Sequence, residues 1–262
     1  MDPQARFAQL VRGPEGSIGL DEVALLVAAT AEPAIDVNHW LAVLDDLAAR
    51  CDEQTFTGVV QHVAREGFRG DQSEYYDPRN SYLNHVLDRR LGIPITLSIV
   101  TIEVGRRVGV PIVGIGMPGH FVVRDGRDDD AFADPFNGVV LDRGGCARLM
   151  SVVQPELAFD DGYLAPVGPR AIVARLLANL KGIHTAQRDR AALISVLQLR
   201  LAIPEVPPEE RRELASALAA DGQFLEAATA LDELAAIARD RGAGALVEES
   251  ELGAVRLRAR LN

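Results

Sequence analysis

Gly116-Met117-Pro118-Gly119-His120 runs into Phe121-Val122-Val123-Arg124 and, after a polar turn, into Phe132-Ala133-Asp134-Pro135-Phe136. The turn, Asp125-Gly126-Arg127-Asp128-Asp129-Asp130, carries Asp-Gly and separates two short apolar runs, which predicts a β-hairpin. Opposed side chains on one face of an antiparallel pair have Cβ atoms about 5 Å apart. His120 and Asp134 are therefore expected within reach of each other, the carboxylate holding one tautomer of the imidazole.

Upstream, Gly92-Ile93-Pro94 opens a segment that runs to Val108. Proline in a first turn followed by an unbroken apolar period predicts a helix start. Ile95, Ile99 and Ile102 form one stripe and Val100, Val104 and Val108 another, so the helix is expected to be buried; Arg106 and Arg107 suit the dipole at its C-terminal end. Its N-terminus offers free backbone N–H groups, which favour a thiolate or an oxyanion. That first turn holds Pro94, Ile95 and Thr96, and no cysteine.

Four motifs follow one another in order: Tyr75-Tyr76-Asp77-Pro78-Arg79-Asn80-Ser81-Tyr82-Leu83-Asn84, Gly92-Ile93-Pro94-Ile95-Thr96-Leu97-Ser98, Gly116-Met117-Pro118-Gly119-His120-Phe121 and Asp134-Pro135-Phe136-Asn137-Gly138. In these the chain resembles the SirB1 family, bacterial proteins with a transglutaminase-like domain followed by tetratricopeptide-like helices. The resemblance implies an α+β fold: a transglutaminase-like (papain-like) core with a buried central helix and a small antiparallel sheet, flanked by all-helical N-terminal and C-terminal parts. It places the divide between residues 1–165 and 166–262. Active relatives use Cys, His and Asp in that chain order; His120 and Asp134 match the last two, and the nucleophile's slot falls near Pro94 to Thr96.

Two substitutes are open. Cys146 follows Asp134 in the chain, within the loop-like Asp142-Arg143-Gly144-Gly145-Cys146, and Cys51 lies far upstream in a helical run, so both read as ordinary thiols. Thr96 and Ser98 are better placed, but a hydroxyl needs a full general base because its pKa is far above that of a thiol. The plainer role for Thr96 is to cap the helix. Likewise a His–Asp pair serves equally as a hydrogen-bonded element of a core. Asn80 and Asn84, four apart, share a face if they lie on one helix; with Tyr76 they either tie down a loop or line a cleft beside His120.

Gly114-Ile115-Gly116-Met117-Pro118-Gly119 satisfies a dinucleotide pattern in the wrong context, because a strand and not a helix follows it. The histidines, at 39, 62, 85, 120 and 184, have no paired spacing, so no metal or other cofactor is expected. A charge of −11 without clustered Lys and Arg argues against nucleic acid. No apolar run is long enough for a bilayer, and the start, Met1-Asp2-Pro3-Gln4, lacks a secretory pattern, so a cytoplasmic protein without a membrane partner is expected.

Helices are predicted over 20–29, 39–49 and 54–66, strands within 111–141, and helices again over 170–187, 190–202, 208–220 and 224–239. The last two resemble a tetratricopeptide hairpin, with Leu214, Ala217 and Leu218 facing Ala227, Ala228 and Leu231. Two functions compete: a catalytically degenerate module that binds a protein or peptide partner, which the missing cysteine favours, and a hydrolase or acyltransferase using Thr96 or Ser98 with His120 and Asp134.

Overall fold

The computed structural model of the protein describes residues 2–204 and 206–261. Short polar side chains start several of its helices. Asp2 accepts the Ala5 N–H at the head of α1 (Pro3–Val11), and α2 follows (Leu20–Ala31). Asp36 caps α3 (Val37–Ala49) and Thr55 caps α4 (Phe56–Arg65). The chain then forms β1 (Arg69–Gly70), α5 (Leu83–Arg89), β2 (Leu91–Gly92), α6 (Pro94–Arg107), β3 (Ile112–Ile115), β4 (Val122–Asp125), β5 (Phe132–Asp134) and β6 (Val139–Leu141). Asp142 caps α7 (Arg143–Val153) through the Gly145 N–H, and β7 (Pro166–Val167) leads into α8 (Pro169–Gln187). Asp189 caps α9 (Arg190–Ala202), followed by α10 (Glu210–Ala220), α11 (Phe224–Asp240) and α12 (Gly244–Arg258).

Two units separate by their contacts: Gly13–Leu176, and the residues up to Arg12 together with Leu177 onward. This divide falls inside α8, not at 165/166, and it assigns α1 to the C-terminal unit, where α1 packs on α9.

In the first unit, five strands form an antiparallel sheet in the order β6-β5-β4-β3-β7. α6 packs on β3 and β4, and α2, α3 and α4 pack on α6. Ile95, Leu97, Ile99, Val100 and Val104 are each at most 1% exposed. Burying such a side chain stabilises by about 1.5–3 kcal/mol, so this helix anchors the unit. Arg107 fastens its C-terminal end to the neighbouring helices, 2.7 Å from both Asp21 and Asp45.

In the second unit Leu214, Ala217, Leu218 and Ala227 share one apolar cluster with Leu231 packed against it, so α10 and α11 meet through the residues that the sequence pairs. α12, which the sequence pattern does not announce, packs along α11. α7 replaces the expected loop around Cys146, and Cys51 lies just beyond the end of α3 instead of within a helix. No helix among the described residues is long and apolar enough to cross a membrane.

Candidate functional site

Pro118 and Gly119 occupy the centre of a turn in which the Met117 carbonyl accepts the His120 N–H (3.3 Å), and Gly119 has φ +71°. That is the geometry of a type II turn, which requires a positive φ at its third residue. The turn delivers His120 to the head of β4. Val123 pairs with Ala133 across β4 and β5, so continuing that register sets Asp134 opposite Val122, two residues beyond His120. His120 and Asp134 are thus diagonal neighbours, not directly opposed ones.

His120 Nε2 lies 3.1 Å from Asp134 Oδ1, with both side chains buried (7% and 1% exposed). No hydrogen bond closes between them, because the oxygen stands out of line with the ring N–H. The carboxylate is already engaged: Oδ1 accepts the Phe136 N–H (3.0 Å) and Oδ2 accepts from Asn137 Nδ2 (2.6 Å). Asp134 therefore folds its own loop, and a His–Asp dyad would need the imidazole to realign on the carboxylate.

Thr96 is at the third position of α6, fully buried. Its hydroxyl donates to the Asn80 carbonyl (2.8 Å), with the Ile93 carbonyl 3.0 Å away, and accepts the Ile93 N–H (3.1 Å). It caps the helix from within, and every direction a proton transfer would use is occupied. Ser98 is fully buried, and its Oγ has no hydrogen-bond partner among the described residues.

Asn80 and Asn84 do not share a helix. Asn80 ends a one-turn 3-10 helix, Pro78–Asn80, whereas Asn84 lies in α5. Asn80 is fully buried, donates to Asp71 (3.2 Å) and the Glu74 carbonyl (2.8 Å), and accepts from Arg89 (3.0 Å), so it ties the 71–80 loop down. Asn84 is 4% exposed, its Oδ1 without a hydrogen-bond partner among the described residues. Tyr76 is 74% exposed and meets Tyr75 edge-on.

Phe136, Gly70 and Asp71, to which the sequence motifs give no role, complete the site. Tyr75 stands edge-on to Phe136, and Phe136 edge-on to His120 at 6.0 Å between centroids, so a row of rings leads from the surface at Tyr76 to the buried imidazole. Gly70 admits Phe136: its N–H donates to the Phe136 carbonyl (2.8 Å), and a Cβ there would fall 2.4 Å from the ring. β1 also pairs in parallel with β2, Gly70 opposite Gly92, which joins the Phe136 loop to the segment that opens α6.

Asp71 is the third. At 4% exposure it accepts from the Glu74 N–H (3.0 Å), from the Ser73 N–H and hydroxyl, and from Asn80 Nδ2, with Arg89 3.5 Å away. Led by the Glu74 N–H, these donors outweigh burial and lower its carboxyl to about 2. An acidic residue directly after a strand, followed by Ser73 and Glu74, was the sequence signal for such a turn.

The thiols are elsewhere. Cys146 is fully buried among Ile115, Met117, Val122 and Phe132; burial, then the charges of Asp142 and Asp134, pushes its thiol up to about 11. Burial also raises Cys51. Neither forms a thiolate readily at neutral pH. Both are expected to resist a thiol-disulfide reagent in the native protein and to react only on unfolding; rapid native labelling of Cys146 would contradict this burial. No group of His, Cys, Asp and Glu among the described residues is placed to hold a metal ion.

Residues 36–178 match the Transglutaminase-like superfamily. A UPF0162 protein of Xylella fastidiosa (strain 9a5c) is 37% identical over 212 residues, 73% of this chain and 74% of that protein. A UPF0162 protein of Pseudomonas aeruginosa is 32% identical over 209 residues, 76% of each chain. The mouse F-box only protein 21 is 30% identical over 118 residues, 43% of this chain and 19% of that protein. No solved structure matches. The chain belongs to the transglutaminase-like superfamily, together with the bacterial UPF0162 proteins.

Proposed function

We propose that this protein is a catalytically degenerate transglutaminase-like module that holds a peptide or protein segment beside His120, with the tetratricopeptide-like C-terminal helices as its companion. The observation that carries this reading is the state of Thr96. The slot where the superfamily's nucleophile is expected holds a hydroxyl committed to the Asn80 and Ile93 backbones. A dyad with no ionisable thiol to serve loses the step that makes acyl transfer fast; without the nucleophile only a residual rate of roughly 10³–10⁴ over water remains in a triad enzyme. The exposed end of the ring row, Tyr76 and Tyr75, offers the large, rigid side chains that anchor protein contacts. The likeness to a fifth of F-box only protein 21 is in keeping with a module that works inside larger proteins.

Ser98 keeps the second reading, a hydroxyl-dependent hydrolase or acyltransferase, in view, since its Oγ is without a hydrogen-bond partner among the described residues. The two are separated by incubating the protein with fluorophosphonates, peptide amides and thioesters, alongside Thr96→Val, Ser98→Ala and His120→Ala. No turnover and no covalent label is expected. Labelling that vanishes in Ser98→Ala and His120→Ala would establish the hydroxyl enzyme instead.

A further inference from the structure

Arg175 lies on α8, far from the hairpin in sequence, yet its guanidinium grips the turn that carries His120. Nη2 donates to the Met117 carbonyl (2.7 Å) and the His120 carbonyl (2.6 Å), and the group lies over the Phe121 ring at 5.4 Å. A Cβ at Gly116 would stand 3.1 Å from Nη1, so the glycine in Gly116-Met117-Pro118-Gly119 makes room for the cation. Arg89, Arg107, Arg124 and Arg170 in the same unit each meet a carboxylate. Arg175 meets none among the described residues; burial lowers its pKa, and the Tyr75 phenol acts against that shift. A half-buried cation without a counter-charge keeps a desolvation cost that an anion would relieve, and a guanidinium has five N–H donors, of which the two carbonyls use those of one nitrogen.

We propose that Arg175 and Tyr75 form the receptor for a single carboxylate on the ligand held beside His120. The proposal rests on the peptide-binding reading above and gives it a chemical class: a peptide carrying a free C-terminus or an acidic side chain. With Nη2 held by the two carbonyls no bidentate fork is left, and Nη1 remains to meet one carboxylate oxygen through a charge-assisted hydrogen bond. A polyphosphate would need clustered basic groups, and the chain carries −11 overall. Because Nη2 already holds the His120 carbonyl, an acid bound at the guanidinium is coupled to the position of the imidazole.

The test is an NMR titration of the full chain, reading the His120 ring signals, with four probes: N-acetyl-Ala-Ala as the free acid, its C-terminal amide, N-acetyl-Asp-Ala-amide, and acetate. At least one acid peptide is expected to bind about tenfold more tightly than the neutral amide, the scale of a charge-assisted hydrogen bond. Free acid against Asp peptide tells which carboxylate is taken. Arg175→Gln is expected to abolish that preference and Arg175→Lys to keep part of it; Tyr75→Phe, which leaves the turn untouched, should weaken the acid severalfold. Equal binding of acid and amide overturns the anchor and leaves peptide binding standing. Acetate that moves His120 through Arg175 while no peptide binds supports the anchor and sinks the peptide reading. No response to any probe overturns both.

Discussion

Replacing Asp71 with Asn is expected to cost about 2 kcal/mol at neutral pH, read as the urea midpoint of Trp40 fluorescence. The number follows from the native carboxyl standing at about 2 against an ordinary 3.8. The sign is that of an acid with a depressed pKa: the ionised form is favoured in the folded state. Its contribution is complete above about pH 4 and fades as pH falls through 2. The natural protein should therefore lose stability over that window, and Asp71→Asn should lose less of it. Trp40 is the only tryptophan, and it lies in α3, so its emission follows the unit that contains the site. An unchanged midpoint would mean that the 71–80 loop is held by Asn80 and Arg89 alone.

Gly70→Val is expected to destabilise the same unit by about 1–3 kcal/mol, the range for overpacking a filled space. Here the obstacle is the flat ring of Phe136, with three carbons within 2.5 Å of the added Cβ, and not the tip of a flexible chain. The ring must leave, and with it the edge contact on His120. Urea unfolding together with the His120 ring resonance checks both parts. A lowered midpoint with an unmoved imidazole signal would separate Phe136 from the site.

α3 and α9 were legible as a 3.6-residue apolar period behind a short polar cap, Asp36 and Asp189, whereas α1 was not read although Asp2 caps it. α7 was hidden by Gly144-Gly145, although Asp142 and the spacing of Cys146, Leu149, Met150 and Val153 carried the signal. α12 opens on a glycine with no polar cap, and β7 is two residues long; neither leaves a pattern in a single chain. Of the site, the nearness of His120 and Asp134 could be read from the hairpin, and Thr96 from its place in the first helical turn. Arg175, Gly70 and Asp71 could not, since each acts through partners that only the fold brings near, and the diagonal offset of the His–Asp pair depends on a register that no turn motif fixed.

The parallel pair of β1 and β2 bears on the order in which the molecule assembles. Arg69 meets Leu91, whereas the outermost pairing of the sheet must bring Val167 back to Gly114. Closing the shorter loop costs less chain entropy, and the difference grows slowly but steadily with length. The 71–80 loop and the threshold of α6, which lie within the closure of Arg69 on Leu91, are thus the cheaper pieces to gather, and the sheet edge at β7 the dearer one. A folding intermediate, if trapped, would be expected to protect the amides of Asp71 and Arg69 before that of Val167.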